Sequence, residues 1–489
     1  MSQHCLLVID EGTTSTRAML FRPDGSVAGS AQRPLTQHYP APGHVEHDAA
    51  EIWTNTLAVT REMVDAAGGA ANIAAIGITN QRETVVAWDK STGEPIGTAL
   101  VWQDRRTAER CAELKAAGHE AMVQARTGLL LDPYFSASKM EWMLKNRPET
   151  VAAGVRLAFG TIDSWLIWKL SGGAAHITDA TNASRTMLMA LDGRDWDEEL
   201  CTLFHIDPAS LPRIVDSCGA LAETDPALFG APIPICGVAG DQQAATIGQG
   251  CLAPGDTKAT FGTGAFILTN SGDAPPHSAN RLLATVLSQV GGGRAYALEG
   301  SVFVAGSLMQ WLRDGVGLIV TAAESEVLAR SVADNGGCYM VPALSGLGAP
   351  YWRPEARGAI SGISFATTRA HIVRAALEAQ AHQVHDLMTA YAADGVRWGR
   401  LKIDGGMVCN DWLAQDLADM LDLTVERPEF IETTALGAAM LAAVGAGIHS
   451  DLEAASRAMR GAVTIFEPRM GDAERERRLA GWKDALARV

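Results

Sequence analysis

Short apolar runs separated by Gly-, Thr- and Ser-rich turns set the pattern of this chain from its first residues. Leu6–Ile9 is apolar and stops at Asp10, residues 12–15 form a turn, and Arg17–Phe21 returns to apolar character. This predicts a strand, a tight loop and a returning strand. The runs Ala74–Ile78, Thr84–Trp88 and Ile233–Val238 predict further strands. Apolar residues three and four apart predict helices over roughly 50–67, 104–117, 137–145, 370–392 and 410–421. Strands alternating with helices mark an α/β chain with mixed sheets. No uninterrupted run reaches the ~18 apolar residues of a membrane span, so no membrane insertion is expected.

Near mid-chain, Cys251-Leu-Ala-Pro-Gly-Asp256 interrupts the pattern, because Pro-Gly breaks regular structure. A new hairpin signal follows over Ala259–Leu268, and Leu401-Lys-Ile-Asp-Gly-Gly406 repeats the opening theme of an apolar strand ending in Asp and Gly. At ~150 residues per domain, 489 residues suggest two to four domains. The hinge divides them into two lobes, 1–250 and 257–489, and a ligand shared by two such lobes sits in the cleft between them.

Composition narrows the partners. With 40 Lys+Arg against 56 Asp+Glu the net charge is −16, which argues against nucleic acid or an anionic membrane as a broad partner. A local pocket for phosphates is still compatible with it. The eight cysteines form no Cys-x-x-Cys pair and fit reduced thiols better than a disulfide scaffold or a zinc site. The opening residues lack a basic region followed by a long apolar stretch, so a soluble cytoplasmic protein is expected.

Three Gly/Thr turns carry candidate chemistry. In Asp10-Glu-Gly-Thr-Thr-Ser-Thr-Arg17, Gly12 allows close backbone approach, hydroxyls and amides can donate to phosphate oxygens, and Asp10 could hold Mg²⁺. A plain hairpin turn reads the same way. Thr260-Phe-Gly-Thr-Gly264 and Asp404-Gly-Gly406 add two more turns able to touch a nucleotide. Asp241, after the strand at Ile233, fits either a proton acceptor or an N-cap, with Gln242 beside it as a polyol contact. Arg82 and Glu83 pair a forked donor with an acceptor, suited to vicinal hydroxyls or to an exposed salt bridge. Glu378, His382 and His385 share a helix face but are expected at the surface or an interface rather than on a metal, and His44 and His47 are expected in a loop. The 12 tryptophans are expected in the core.

Taken in order, these segments resemble the FGGY carbohydrate kinase family over nearly the whole chain. The resemblance rests on Asp10–Thr14, Gly77–Thr84, Val101–Arg106, Asp132–Phe135, Thr178–Thr186, Gly240–Gln243 and Gly346–Trp352, with longer signatures over Tyr134–Trp142 and Gly358–Glu378. It implies two actin-like (ribonuclease H-like) α/β domains, mixed sheets flanked by helices, and an active site in the interdomain cleft. It further implies ATP-dependent, Mg²⁺-assisted phosphorylation of glycerol to sn-glycerol 3-phosphate by a homo-oligomer, dimer or tetramer. By matching position, Arg82, Glu83, Trp102, Tyr134, Asp241, Gln242 and Phe266 would contact glycerol, with Asp241 as general base. Thr13, Thr14, Ser15, Arg17, Thr263, Gly306, Gln310, Gly406 and Asn410 would contact ATP, and Asp10 would sit by the metal.

Departures from the family pattern are specific. Glu11 stands where Gln is usual, adding an acid near the phosphates, and Arg353 replaces a usual Asp. The segment Asp225–Pro232 lacks the Gly-Gly-Thr-Arg loop that binds fructose 1,6-bisphosphate in some members, and Ala227 stands where others carry a phosphorylatable His. Neither control is therefore expected through those motifs. The alternative readings are a family member acting on erythritol or xylulose, and a catalytically silent nucleotide sensor.

Overall fold

The structure is a computed structural model and describes residues 4–353 and 355–489. The first lobe is organised on a six-stranded sheet of β1 (Cys5–Glu11), β2 (Ser15–Phe21), β3 (Val27–Pro34), β4 (Ile73–Asn80), β5 (Cys218–Glu223) and β6 (Pro234–Gly240), in the order β5-β6-β4-β1-β2-β3. The strands β1, β2 and β3 form an antiparallel meander, and β4 and β6 add in parallel beside β1. β1 is apolar throughout because both of its faces are covered. Leu7 and Ile9 pack with Ile52, Val59 and Met63 of helix α1 (Ala49–Ala66), whereas Leu6 and Val8 pack with Ala438 and Ala442 on the opposite face.

The second sheet repeats the plan. Its strands are β7 (Thr257–Phe261), β8 (Ala265–Gly272), β9 (Leu283–Val290), β10 (Gly293–Val302), β11 (Leu401–Asp404), β12 (Val425–Pro428) and β13 (Val463–Phe466), ordered β9-β10-β8-β7-β11-β12-β13. β7 pairs antiparallel with β8 and parallel with β11, as β1 pairs with β2 and β4. The counterpart of the opening hairpin is therefore Thr257–Gly272, and Leu401–Asp404 corresponds to β4 rather than to β1.

This second sheet has two unlike faces, set by the period-two alternation of its strands. Ala259, Phe261, Ile267, Leu298 and Ile403 pack on Val384 and Leu387 of the long helix Arg369–Ala393 and on Leu413 and Leu417 of Asp411–Leu421. Alternate positions place Lys258, Thr260, Phe266, Glu299 and Asp404 on the other face. There they bond residues of the first lobe and its following helix.

Two helices tie the lobes together. Asp241–Gly248, running on from β6, crosses Thr433–Gly445, which lies on the first sheet although it comes late in the chain. A Cβ on Gly437 would stand 1.8 Å from the Ala244 carbonyl oxygen, and one on Gly248 would stand 2.0 Å from that of Thr433. Glycine at both positions allows the backbones this close an approach.

The helices and strands expected from the pattern are present, with one shortened start. Helix 104–117 begins at Ala108 because Asp104 turns inward, accepting from the Val45 amide at 2.7 Å and from Arg106. Trp88, Trp165 and Trp482 are fully buried.

Candidate active site

Strand ends and tight turns aim the candidate residues into the cleft. After β4, the chain turns through Gln81-Arg82-Glu83, with Thr84 N–H donating to the Arg82 carbonyl at 2.8 Å. Glu83 takes φ +61°, the left-handed region that a non-glycine residue occupies at a cost of roughly 1–2 kcal/mol. Arg82 Nη1 and Nη2 lie 2.6 and 3.1 Å from the two Glu299 oxygens, and its Nε lies 3.3 Å from Asp241 Oδ1. Glu83 Oε1 accepts from Arg185 Nε at 2.6 Å, and Arg185 Nη2 reaches Glu299 Oε1 at 3.2 Å. The Arg82 fork is thus engaged by carboxylates, not held open as a free clamp for vicinal hydroxyls.

Glu299 is fully buried, and burial alone would push its carboxyl pKa up. Arg185 and Arg82 outweigh that and hold its carboxyl at about 2. Asp241 opens the helix Asp241–Gly248 as its first residue, with Gly240 as cap, so the N-cap alternative does not hold. Desolvation raises its carboxyl to about 6, against the pull of Arg82, with Glu83 also raising it and Lys258 lowering it. A carboxylate near 6 is ionised at neutral pH and basic enough to accept a hydroxyl proton.

Three rings wall the cleft beside this network. Trp102 meets Tyr134 edge-on at 5.6 Å and Phe266 at 6.5 Å between ring centroids. Its indole Nε1 donates to Thr13 Oγ1 at 2.9 Å, which joins the aromatic wall to the first Gly/Thr turn. In that turn Gly12 N–H donates to the Ser15 carbonyl, and Arg17 binds both Asp10 and Glu432 at 2.7 Å. Burial raises the Asp10 carboxyl even against Arg17. Thr433, next to Glu432, bonds Asp404, so the first turn and the Asp404-Gly405-Gly406 turn approach one another.

Thr263, Gly306, Gln310, Gly406 and Asn410 line one pocket of about 390 Å³ on the second lobe. Glycines shape its rim: a Cβ on Gly306 would stand 2.5 Å from the Gly262 carbonyl oxygen. Asn410 caps the following helix by accepting from the Leu413 amide at 3.0 Å. Asp404 accepts from Gln249 through Oδ2, while its buried Oδ1 has no partner among the described residues. Thr14 and Ser15 remain on the hairpin turn, with Gln32 donating to Ser15 Oγ.

Three participants had no role assigned from sequence: Arg185, Glu299 and Lys258. The last two are buried charges in central strands of the second sheet, a placement that signals a functional ion. Other expectations are corrected. Glu378 and His382 are buried, not superficial: Glu378 pairs with Arg374, and His382 stacks on Trp482 at 5.2 Å. His47 is buried in a two-residue strand, bonding Gln37 at 3.0 Å. Among the described residues no group of three or more His, Cys, Asp or Glu is arranged to hold a metal ion. No helix among them is long and apolar enough to cross a membrane. Arg353 bonds the Val489 carbonyl and pairs with Glu355.

Two mixed α/β lobes meeting at a cleft of buried charges define a two-domain actin-like α/β protein. Family descriptions sharpen this: residues 5–248 match the N-terminal domain of the FGGY family of carbohydrate kinases, and residues 257–446 match its C-terminal domain. A curated glycerol kinase of Rhodospirillum rubrum is 55% identical over 491 aligned positions, covering 99% of this chain and 98% of the relative. The crystal structure of Plasmodium falciparum glycerol kinase with ADP aligns at a TM-score of 0.92 and 35% identity, covering 99% of this chain and 98% of that one. A xylulose kinase from Rhodospirillum rubrum aligns at 0.86 with 27% identity, covering 99% and 98%. The chain belongs to the FGGY family of carbohydrate kinases.

Proposed function

We propose that this protein transfers the γ-phosphoryl group of ATP to glycerol, giving sn-glycerol 3-phosphate and ADP. The observation that carries this reading is the junction at Trp102, whose ring packs on Tyr134 and Phe266 while its Nε1 bonds Thr13 of the phosphate turn. A three-carbon polyol needs a short apolar wall and several hydrogen-bond partners, and this junction sets such a wall against a phosphate turn. The greater identity to a glycerol kinase than to a xylulose kinase supports glycerol over a longer ketose.

The lobes 1–250 and 257–489 bring the two substrates together. Arg82, Glu83, Trp102, Tyr134, Asp241, Gln242 and Phe266 surround glycerol. Thr13, Thr14, Ser15 and Arg17 receive the phosphates, and the pocket of Thr263, Gly306, Gln310, Gly406 and Asn410 takes the nucleoside. Asp241 accepts the proton of a primary hydroxyl, whose oxygen forms the new P–O bond as the bond from the γ-phosphorus to the β–γ bridging oxygen breaks. Closure of the lobes excludes water and limits ATP hydrolysis.

Asp10 would be the residue to hold a magnesium ion brought with the nucleotide. A single carboxylate beside a phosphate turn suits this ion, which keeps phosphate and water ligands. When bound, it neutralises charge on the transferring phosphates. The eight cysteines, all free, support a cytoplasmic setting. Ile363 and Phe365, at 64% and 113% exposure, support a homo-oligomer, dimer or tetramer.

The test is an ADP-release assay with glycerol, dihydroxyacetone, erythritol and xylulose as acceptors. Highest kcat/KM on glycerol is expected; higher kcat/KM on erythritol or xylulose would replace the substrate assignment.

A further inference from the structure

We propose that Lys258 is a positioning residue for phosphoryl transfer, fixing the Gln242 amide with its nitrogen toward the polyol and keeping a positive charge beside Asp241. The inference rests on the proposed glycerol site and adds a residue to it.

Lys258 lies in β7, in the middle of the second sheet, and is fully buried. Its ammonium crosses to the helix that begins at Asp241, reaching Gln242 Oε1 at 2.5 Å and Thr260 Oγ1 at 2.9 Å. An ammonium only donates, so it selects the oxygen of the Gln242 amide and rejects the nitrogen. The amide NH₂ is thereby left to face away from Lys258, as a donor to a substrate hydroxyl oxygen. Gln242 also holds the helix turn through its carbonyl, which accepts from Thr246 Oγ1 at 2.7 Å. With backbone and amide oxygen both fixed, the direction of the NH₂ follows.

The charge matters as much as the hydrogen bond. Asp241 faces Arg82 and Glu83 from the turn after β4, Lys258 from β7, and, beyond them, Glu299 from β10 and Asp404 from β11. Arg82 exerts the larger pull on Asp241 through Nε at 3.3 Å, and Lys258 is the second cation acting on it. Burial draws Lys258 down to about 8, opposed chiefly by Asp404, so the ammonium stays largely charged at neutral pH. Above that pH the proton is lost, the amide loses its fixed orientation, and activity falls on the basic side.

The experiment compares Lys258→Met and Lys258→Arg with the unmodified protein in full pH profiles of kcat and kcat/KM. Wild-type turnover of glycerol is measured first; if another acceptor is turned over instead, the substrate assignment falls and the comparison is made with that acceptor. For Lys258→Met, the acceptor KM is expected to rise roughly 10- to 100-fold, the range for a misplaced buried donor. The acid limb assigned to Asp241 is expected to move up by about 0.5–1 unit once the cation is gone. The KM for ATP is expected to stay near its original value. Lys258→Arg keeps the charge but not the geometry, so the acid limb stays in place while the acceptor KM rises. An unmoved acid limb and acceptor KM in Lys258→Met would overturn the proposal. If Lys258→Met does not fold, Lys258→Arg decides: a raised acceptor KM with a fixed acid limb supports it, and an unchanged acceptor KM overturns it.

Discussion

Arg82 of the first lobe grips Glu299 of the second through both carboxylate oxygens, at 2.6 and 3.1 Å. Neither residue is next to the other in sequence, and both are buried, so the pair fixes how the lobes meet. Glu299→Gln would leave Arg82 and Arg185 under-compensated in the interior. Losing one member of such a pair costs about 3–5 kcal/mol. The folded carboxyl, near 2, lies below its ordinary 4.5, so this stabilisation is fully present above about 4.5 and fades as pH falls from there towards 2. Urea unfolding of both proteins at pH 7 and pH 3 is expected to show a large gap that narrows in acid. Equal stability at pH 7 would refute the coupling.

Asp241 should give the pH profile its acid limb. Its carboxyl is raised by burial to about 6, and only the ionised form accepts a proton, so kcat/KM is expected to fall below pH 6. Asp241→Asn is expected to lower kcat by about 10²–10⁴-fold, the range for a general base, with nucleotide affinity retained. Near-normal turnover with an unchanged profile would remove Asp241 from the role.

Glu11 carries a different signature. It is fully buried, with Thr56 Oγ1 3.3 Å from Oε2 and no hydrogen-bond partner for Oε1 among the described residues, and burial raises its carboxyl to about 8. At neutral pH it is largely uncharged, so it adds little negative charge to the first Gly/Thr turn. The folded value lies above the ordinary 4.5, so stability is expected to decline as pH rises from about 4.5 to 8. Glu11→Gln, nearly isosteric and uncharged, should flatten that decline. Denaturation midpoints at pH 5, 7 and 9 check it; parallel curves would contradict a neutral acid.

The crossing at Gly437 leaves no space for a side chain, since a Cβ would lie 1.8 Å from the Ala244 carbonyl oxygen. Gly437→Ala must separate the two helices that join the lobes. A loss of at least about 1–3 kcal/mol, the usual cost of overpacking, and a fall in kcat are expected. Thermal unfolding together with kcat measures both; an unchanged melting temperature would show that the helices can shift freely.

Local pattern disclosed the meanders and the turns because their signals are short. A strand such as β1 ends at Asp10 and a glycine turn, and both features lie within a few residues. Helix Thr433–Gly445 went unread because its Ala-rich surface is buried almost all round, which removes the polar stripe that marks a helix in sequence. The ion network escaped for a different reason. Arg82 and Glu299 are 217 positions apart, and nothing local to either names its partner. The same holds for His47, expected in a loop, and His382, expected at the surface or an interface, both of which distant segments bury. The pocket on the second lobe was legible in part, through the turns at Thr263 and Gly406, whereas Gly306 and Gln310 come from a distant helix that no local signal joins to them.

The most direct test of the account is the identity of the phosphorylated product. The protein is incubated with Mg-ATP and glycerol, ADP is quantified, and the product is read with a dehydrogenase specific for sn-glycerol 3-phosphate. One equivalent of sn-glycerol 3-phosphate per ADP is the expected result, formed about 10²–10⁴-fold more slowly by Asp241→Asn. ADP release without that product, or no glycerol-dependent ADP release at all, would contradict it.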